Sequence, residues 1–321
     1  MKFRTEITIE PLDNRLKYGD SLLSIGSCFA ENMAQRLRQA KFNAVSSPTG
    51  ILFNPLSIAS TINRFAEAAA PSAEELVFNN GLWHSFDAHS SLSSPSKEAT
   101  LEALTKAITE GHNALKQASH VIITLGTAWV YTLENGTVVA NCHKFPHSHF
   151  TRRRLSVEEV VQALELLCSK TLSGKHIIFT ISPVRHIADG LAENTLSKAT
   201  LRVAVDIVCS RCSNAHYFPA YECLNDDLRD YRFYADDMVH PSQQAVEYIW
   251  EKFTEVAIEE KSRALMPQVA KVVAAASHRP FNPESREYAA FCRNNLRLIE
   301  ELPNIDFSEE RAIFERYSDN F

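Results

Sequence analysis

Two widely separated groups in this 321-residue chain have the residue types and spacing that nucleophilic chemistry needs. The first is Ser27, at the joint where the apolar run Ser21-Leu22-Leu23-Ser24-Ile25 stops at Gly26 and a helical pattern begins. A buried strand that turns directly into a helix needs backbone freedom at the bend, which glycine supplies. A hydroxyl there sits over the end of the sheet, near unpaired amide N–H groups and the positive end of the helix dipole, where developing negative charge is favoured. Serine is also an ordinary helix cap, so this stretch alone fits a structural role as well. The second group is Ala235-Asp236-Asp237-Met238-Val239-His240-Pro241-Ser242. A turn from Asp237 to His240 can bring a carboxylate and an imidazole to one side, the acid fixing the tautomer and supporting the imidazolium. Pro241 suits the first turn of a following helix. The order along the chain is Ser, Asp, His.

The elements that must position these groups read as alternating strands and helices, with strand-helix units near residues 21, 42, 120, 176 and 216. Val121-Ile122-Ile123-Thr124-Leu125 is the clearest buried strand, β-favouring and closed by Gly126. Asn80-Gly81 and Asn135-Gly136 mark hairpins. Helices are expected from Asn54-Pro55, over 96–119, from the capping box Ser156-Val157-Glu158-Glu159, from Asn194, and from Pro241 to about Ile258. The pattern predicts an α/β fold with a central parallel sheet over residues 1–260 and a helical C-terminal extension over residues 261–321. In such sheets ligands collect outside the carboxyl ends of the strands. Arg185 and His186, in the loop after the strand His176–Ile181, therefore face the cleft that holds Ser27. Arg185 suits a carboxylate or phosphate, or else ties down its own loop. Trp83, His84, Phe86 and His89 either floor a pocket or pack a hairpin on the core.

With 45% hydrophobic and 22% charged residues, the composition is that of a globular protein able to bury a large core. A net charge of -6 gives no broad basic field for a nucleic-acid backbone, and Arg152-Arg153-Arg154 is a solvated face or a contact for an anionic group. The opening residues Met1-Lys2-Phe3-Arg4 lack a secretory apolar run, no later run is long enough for a bilayer, and the seven cysteines follow no regular spacing. The expectation is a cytoplasmic protein with free thiols and no membrane or nucleic-acid partner. His143, His147 and His149 raise the question of zinc, but no carboxylate or further cysteine completes a ligand set. Neither metal nor cofactor is expected. Cys209 and Cys212 lack the second pair or the strand-to-helix setting that metal or dithiol chemistry uses.

Through Gly26-Ser27-Cys28-Phe29-Ala30 the chain resembles the GSCFA family, from about Ser21 to about Trp250, and that family resembles the SGNH/GDSL hydrolases, whose acid and histidine lie in a late Asp-x-x-His. The resemblance implies a flavodoxin-like three-layer sandwich of the SGNH type and a serine esterase with Ser27, Asp237 and His240 as its catalytic set. It implies an oxyanion hole made by the amides of Ser27 and Gly50 and by a side-chain amide. The SGNH Gly-x-Asn-Asp appears here as Gly126-Thr127-Ala128-Trp129, so the usual asparagine is missing. Asn141, in an Asn-Cys-His segment that the GSCFA resemblance includes, is the candidate replacement, with Thr127 and Asn54 behind it and His143 as a further donor. Cys28 competes with Ser27 as nucleophile, and Glu222 competes with Asp237 as the acid. The expected substrate is a small-molecule or saccharide ester, with an acetyl or longer acyl group. An acyltransferase, a non-catalytic carbohydrate- or acyl-binding protein, and a metal-dependent or phosphoester hydrolase using the histidines remain as rivals. The C-terminal helices are left to cover the sheet, close a lid or form a homodimer.

Overall fold

Apolar runs rich in β-favouring residues form the central strands, and two shorter, more polar segments form the edges. In the computed structural model, which describes residues 4–318, these are β1 (Ser21–Gly26), β2 (Asn43–Ser46), β3 (His120–Leu125), β4 (His176–Ile181) and β5 (Ala215–Tyr217). They pair in parallel throughout, in the order β5-β4-β3-β1-β2. This is the flavodoxin-like order, in which the chain reverses direction across the sheet between β1 and β3.

Parallel strands are covered on both faces, which explains their near-continuous hydrophobicity. Alternation sorts the side chains. Leu23, Ile25, Val121, Ile123, Ile177 and Phe179 belong to one core cluster, and Leu22, Ile122 and Ile178 to the other. The helices are α1 (Cys28–Gln39), α2 (Pro55–Glu67), α3 (Lys97–Gln117), α4 (Val157–Leu166), α5 (Leu191–Arg211), α6 (Gln243–Ala257), α7 (Glu260–Ser277), α8 (Arg286–Glu300) and α9 (Ser308–Ser318). The first cluster packs α2, α3, α4 and α5 on the sheet, and the second packs α1 and α6. The result is the expected three-layer sandwich with helices appended at its C-terminus.

Several local expectations are refined. Ser242 caps α6 by accepting from the Ala245 amide at 3.2 Å, so Pro241 precedes the cap and lies outside the first turn. The hairpin around Asn135-Gly136 gains a third strand, Thr151–Arg154, which pairs with Trp129–Thr132. Helix α5 begins at Leu191, and Asn194 lies inside it, accepting from the His186 amide at 3.1 Å. Helices α7 to α9 enclose a core cluster of their own around Val272, Cys292 and Phe314. Tyr18 packs against it, and Lys41 pairs with Glu310 at 2.8 Å. Met1–Phe3 and the final residues 319–321 of the extension lie outside the described residues. Among the described residues no helix is long and apolar enough to cross a membrane.

Candidate active site

Gly26 creates the bend after β1. Its φ is +138°, and a Cβ there would lie 2.1 Å from the Thr124 carbonyl oxygen on β3, so no other residue fits without moving a neighbouring strand. The next residue, Ser27, caps α1 and is 2% exposed. Its hydroxyl accepts from the Phe29 amide at 3.3 Å. Ser27 and Cys28 reach a cavity of about 230 Å³ outside the ends of β1, β3 and β4, which Gly126, Thr127 and Ser182 also line. It lies between β1 and β3, where this topology opens its ligand crevice. Phe53, Trp129 and Tyr131 add apolar wall. Arg152, Arg185, His186 and Asp189 supply charged and polar groups.

The acid and the imidazole are joined as expected. His240 Nδ1 lies 2.6 Å from Asp237 Oδ2, while Asp237 Oδ1 accepts from the amides of Val239 and His240 at 2.9 Å each. The His240 amide and side chain, then the Val239 amide, hold the Asp237 carboxyl down at about 2. The turn is closed by Met238 at φ +58° and by the Ala235 amide donating to the His240 carbonyl at 2.8 Å. It is fastened to the pocket wall where the Arg185 amide donates to the Val239 carbonyl at 3.1 Å. The turn therefore abuts the wall of the cavity, while Asp237 and His240 themselves are not among its lining residues. The His240 and Asp237 side chains are 48% and 50% exposed, and among the described residues no hydrogen bond joins His240 to the Ser27 hydroxyl. Glu222 is engaged elsewhere, with Arg202 at 3.2 Å and the Tyr217 hydroxyl at 2.6 Å.

The oxyanion donors expected from the sequence have other partners. The Ser27 amide donates to the Thr124 carbonyl at 3.1 Å and the Gly50 amide to the Ser47 carbonyl at 2.7 Å. Gly50 sits at φ +83°, where a Cβ would meet the His89 side chain, so it serves its turn. Asn141 Oδ1 accepts from the His143 amide at 2.9 Å, and its Nδ2 faces Ser90 Oγ at 3.5 Å. Asn54 caps α2 through the Ser57 amide at 2.8 Å. Thr127 does line the cavity, with its hydroxyl 3.1 Å from Ser197 Oγ. His143 is a buried structural residue. Its Nε2 pairs with the Ser85 carbonyl at 2.6 Å and its ring stacks on His84 at 4.4 Å, and burial lowers it to about 4. Trp83, His84, Phe86 and His89 are absent from the cavity lining. Among the described residues, no group of three or more His, Cys, Asp or Glu side chains is arranged to hold a metal.

One feature escaped the sequence reading. Lys198, on α5, is 2% exposed, and its ammonium donates to the carbonyls of Gly126 at 2.7 Å and Ser182 at 2.8 Å, at the ends of β3 and β4. Burial lowers it to about 7, opposed by the nearby Cys28 thiol. Its position in the run Lys198, Leu201, Val205, Val208 follows the buried stripe of the helix and could have marked it. Arg152, in the basic run offered by the sequence as a solvated face or an anion contact, lines the cavity. It lies 3.9 Å from the Trp129 ring centroid and pairs with Asp189 at 2.5 Å, folding one arginine of the basic run into the pocket. Burial also raises the Cys28 thiol, against the pull of the Phe29 and Cys28 amides, so the thiolate is disfavoured.

The model of the GSCFA family matches residues 21–253, a span that runs from β1 nearly to the end of α6 and includes the bend, the pocket and the Asp237–His240 turn. The chain belongs to the GSCFA family. The model of the GSCFA domain protein C-terminal domain matches residues 269–318, which are the helices with their own core. No curated protein and no solved structure gave a significant match. In this GSCFA protein the Gly26-Ser27-Cys28-Phe29-Ala30 segment is thus the strand-to-helix bend at the floor of the cavity.

Proposed function

We propose that this GSCFA protein is a carboxylic ester hydrolase of the SGNH/GDSL kind, with Ser27 as nucleophile, His240 as general base and acid, and Asp237 as the group that orients His240. The observation that carries the reading is the Asp237–His240 pair, held at 2.6 Å on a turn bonded to the wall of the pocket that contains Ser27. A carboxylate accepting from both main chain and imidazole fixes the histidine tautomer with the second nitrogen free for a hydroxyl. The raised Cys28 thiol favours the serine over its neighbour.

In the proposed reaction the half-exposed His240 ring swings to the Ser27 hydroxyl and takes its proton as the oxygen attacks the ester carbonyl. The C–O bond to the leaving alcohol breaks and His240 returns the proton to that alcohol. Water attacks the acyl-serine, again through His240, and the acid leaves. An alcohol entering in place of water would make the same site an acyltransferase. Negative charge on the carbonyl oxygen would be met by the positive end of the α1 dipole and, when it is protonated, by Lys198 beneath the floor. Acyl and acetyl esters of carbohydrates are the proposed substrates. The proposed compartment is the cytoplasm, on the unpaired state of all seven cysteines.

A second reading draws on the commitment of the Ser27 and Gly50 amides within the fold: a protein that binds acyl or carbohydrate ligands without turning them over. A fluorophosphonate probe separates the two. Hydrolysis predicts labelling of the parent and of Cys28→Ala, none of Ser27→Ala, and matching losses on a panel of acetyl and longer acyl esters. Labelling that persists in Ser27→Ala, or a parent inert to both probe and panel, overturns it.

A further inference from the structure

The charges around the cavity are unevenly paired. Arg152 is neutralised by Asp189 at 2.5 Å, whereas among the described residues no carboxylate pairs with Arg185. The Arg185 guanidinium instead stacks on Tyr234, 3.9 Å from the ring centroid, with Tyr231 at 5.2 Å. Stacking occupies the flat face of the guanidinium, one N–H serves the Tyr234 hydroxyl, and the remaining in-plane N–H groups are left for an acceptor. The buried amine of Lys198, partly protonated near neutral pH, lies beneath the same floor, fixed to the carbonyls of Gly126 and Ser182. A chain whose net charge is -6 thus keeps an unpaired arginine in the wall of the cavity that holds its candidate nucleophile. A cation held in a partly dry pocket without a counter-ion attracts an anionic ligand far more than an exposed one does.

We infer that the pocket takes an ester bearing a second, anionic oxygen group, a carboxylate or a phosphate, which Arg185 receives through its N–H fork. The pocket volume of about 230 Å³ equals about eight water volumes, so it receives the short charged part of such a molecule, with a longer saccharide left outside. Phe53, Trp129 and Tyr131 contact the apolar stem between charge and ester. The Asp189–Arg152 pair is neutral within itself, which leaves Arg185, among the described residues, as the unpaired cation of the lining.

This inference rests on the hydrolase reading for the word ester, while the recognition of charge does not, and the test separates them. Ser27→Ala protein is titrated calorimetrically with monomethyl succinate, dimethyl succinate and monomethyl phosphate. At least one anion is expected to bind tenfold or more tightly than the neutral diester, and the ranking of the two anions identifies the group. Adding Arg185→Gln should abolish the preference, and Arg185→Lys should restore part of it, with thermal melts confirming that each variant is folded. Equal binding of neutral and charged ligands, no binding by any of them, or a preference that survives Arg185→Gln overturns the assignment. Anion binding by a parent that the fluorophosphonate fails to label sinks hydrolysis alone.

Discussion

The main-chain amide of Arg185 donates to the carbonyl of Val239 at 3.1 Å. Through that bond the wall of the cavity and the turn bearing the acid and the imidazole are parts of one framework, although they arise from loops that follow different strands. The side chain of Arg185 is aligned by Tyr234, at the start of the same turn region, so anion recognition and the orientation of His240 share a support.

Replacing Asp237 with Asn should leave the fold intact and lower kcat by about 10²- to 10⁴-fold, since an amide no longer selects the productive tautomer. The folded carboxyl stays ionised down to about 2. Asp237 therefore remains a carboxylate through the neutral and mildly acidic range. An Asp237→Asn kcat within a few-fold of the parent would remove Asp237 from the catalytic set.

Asn54→Ala tests a residue that the fold uses as a cap. Loss of its bond to the Ser57 amide should cost about 1 kcal/mol, seen as a melting temperature lower by about 2 °C. Turnover should be preserved. A fall of 10²- to 10³-fold, the size expected for a lost oxyanion donor, would return Asn54 to the catalytic machinery.

The frame was legible because its signals are local. The run from Val121 to Leu125 could only be a strand covered on both faces, and Gly26-Ser27 carries both the freedom for a bend and the cap of a helix. The spacing of Asp237 and His240 is likewise satisfied within one turn. What the sequence withheld depends on contacts distant in the chain. The Ser27 amide looks available until Thr124 is placed beside it. His143 resembles a donor until the carbonyl of Ser85, far earlier in the chain, is brought against its ring. Lys198 reads as a surface lysine unless its helix stripe is followed down to the sheet ends.

Stability should fall as the solution is acidified toward pH 4, and His143 should account for part of the loss. Burial lowers His143 from the ordinary 6.5 to about 4, so between those values the unfolded chain holds a proton that the folded chain lacks. Its contribution is complete above 6.5 and declines as pH falls toward about 4. His120 and His186 are shifted in the same direction by burial, so His143→Gln should reduce the slope of denaturation midpoint against pH without abolishing it. An unchanged slope would show that the imidazole is not buried as described.

Lys198→Met should separate a structural cation from one that serves the site. With its pKa lowered from 10.5 to about 7, the unfolded chain carries the extra proton across that interval, and parent stability should rise with pH through it. The methionine variant should lack that rise in urea titrations between neutral and alkaline pH. If Lys198 also supports negative charge on the reacting carbonyl, kcat should fall by about tenfold or more with KM little changed. A fall confined to stability would limit Lys198 to holding the strand ends.

The contact of Gly26 with the Thr124 carbonyl has a consequence for how the family's signature can be understood. In a library randomised at position 26 and screened only for soluble expression, glycine alone should return, because the neighbouring strand leaves no room for a Cβ. Position 27 should tolerate other capping side chains in the same screen and demand serine only when catalysis is also selected. Adjacent letters of one motif would then answer to different pressures, the first to architecture and the second to reactivity.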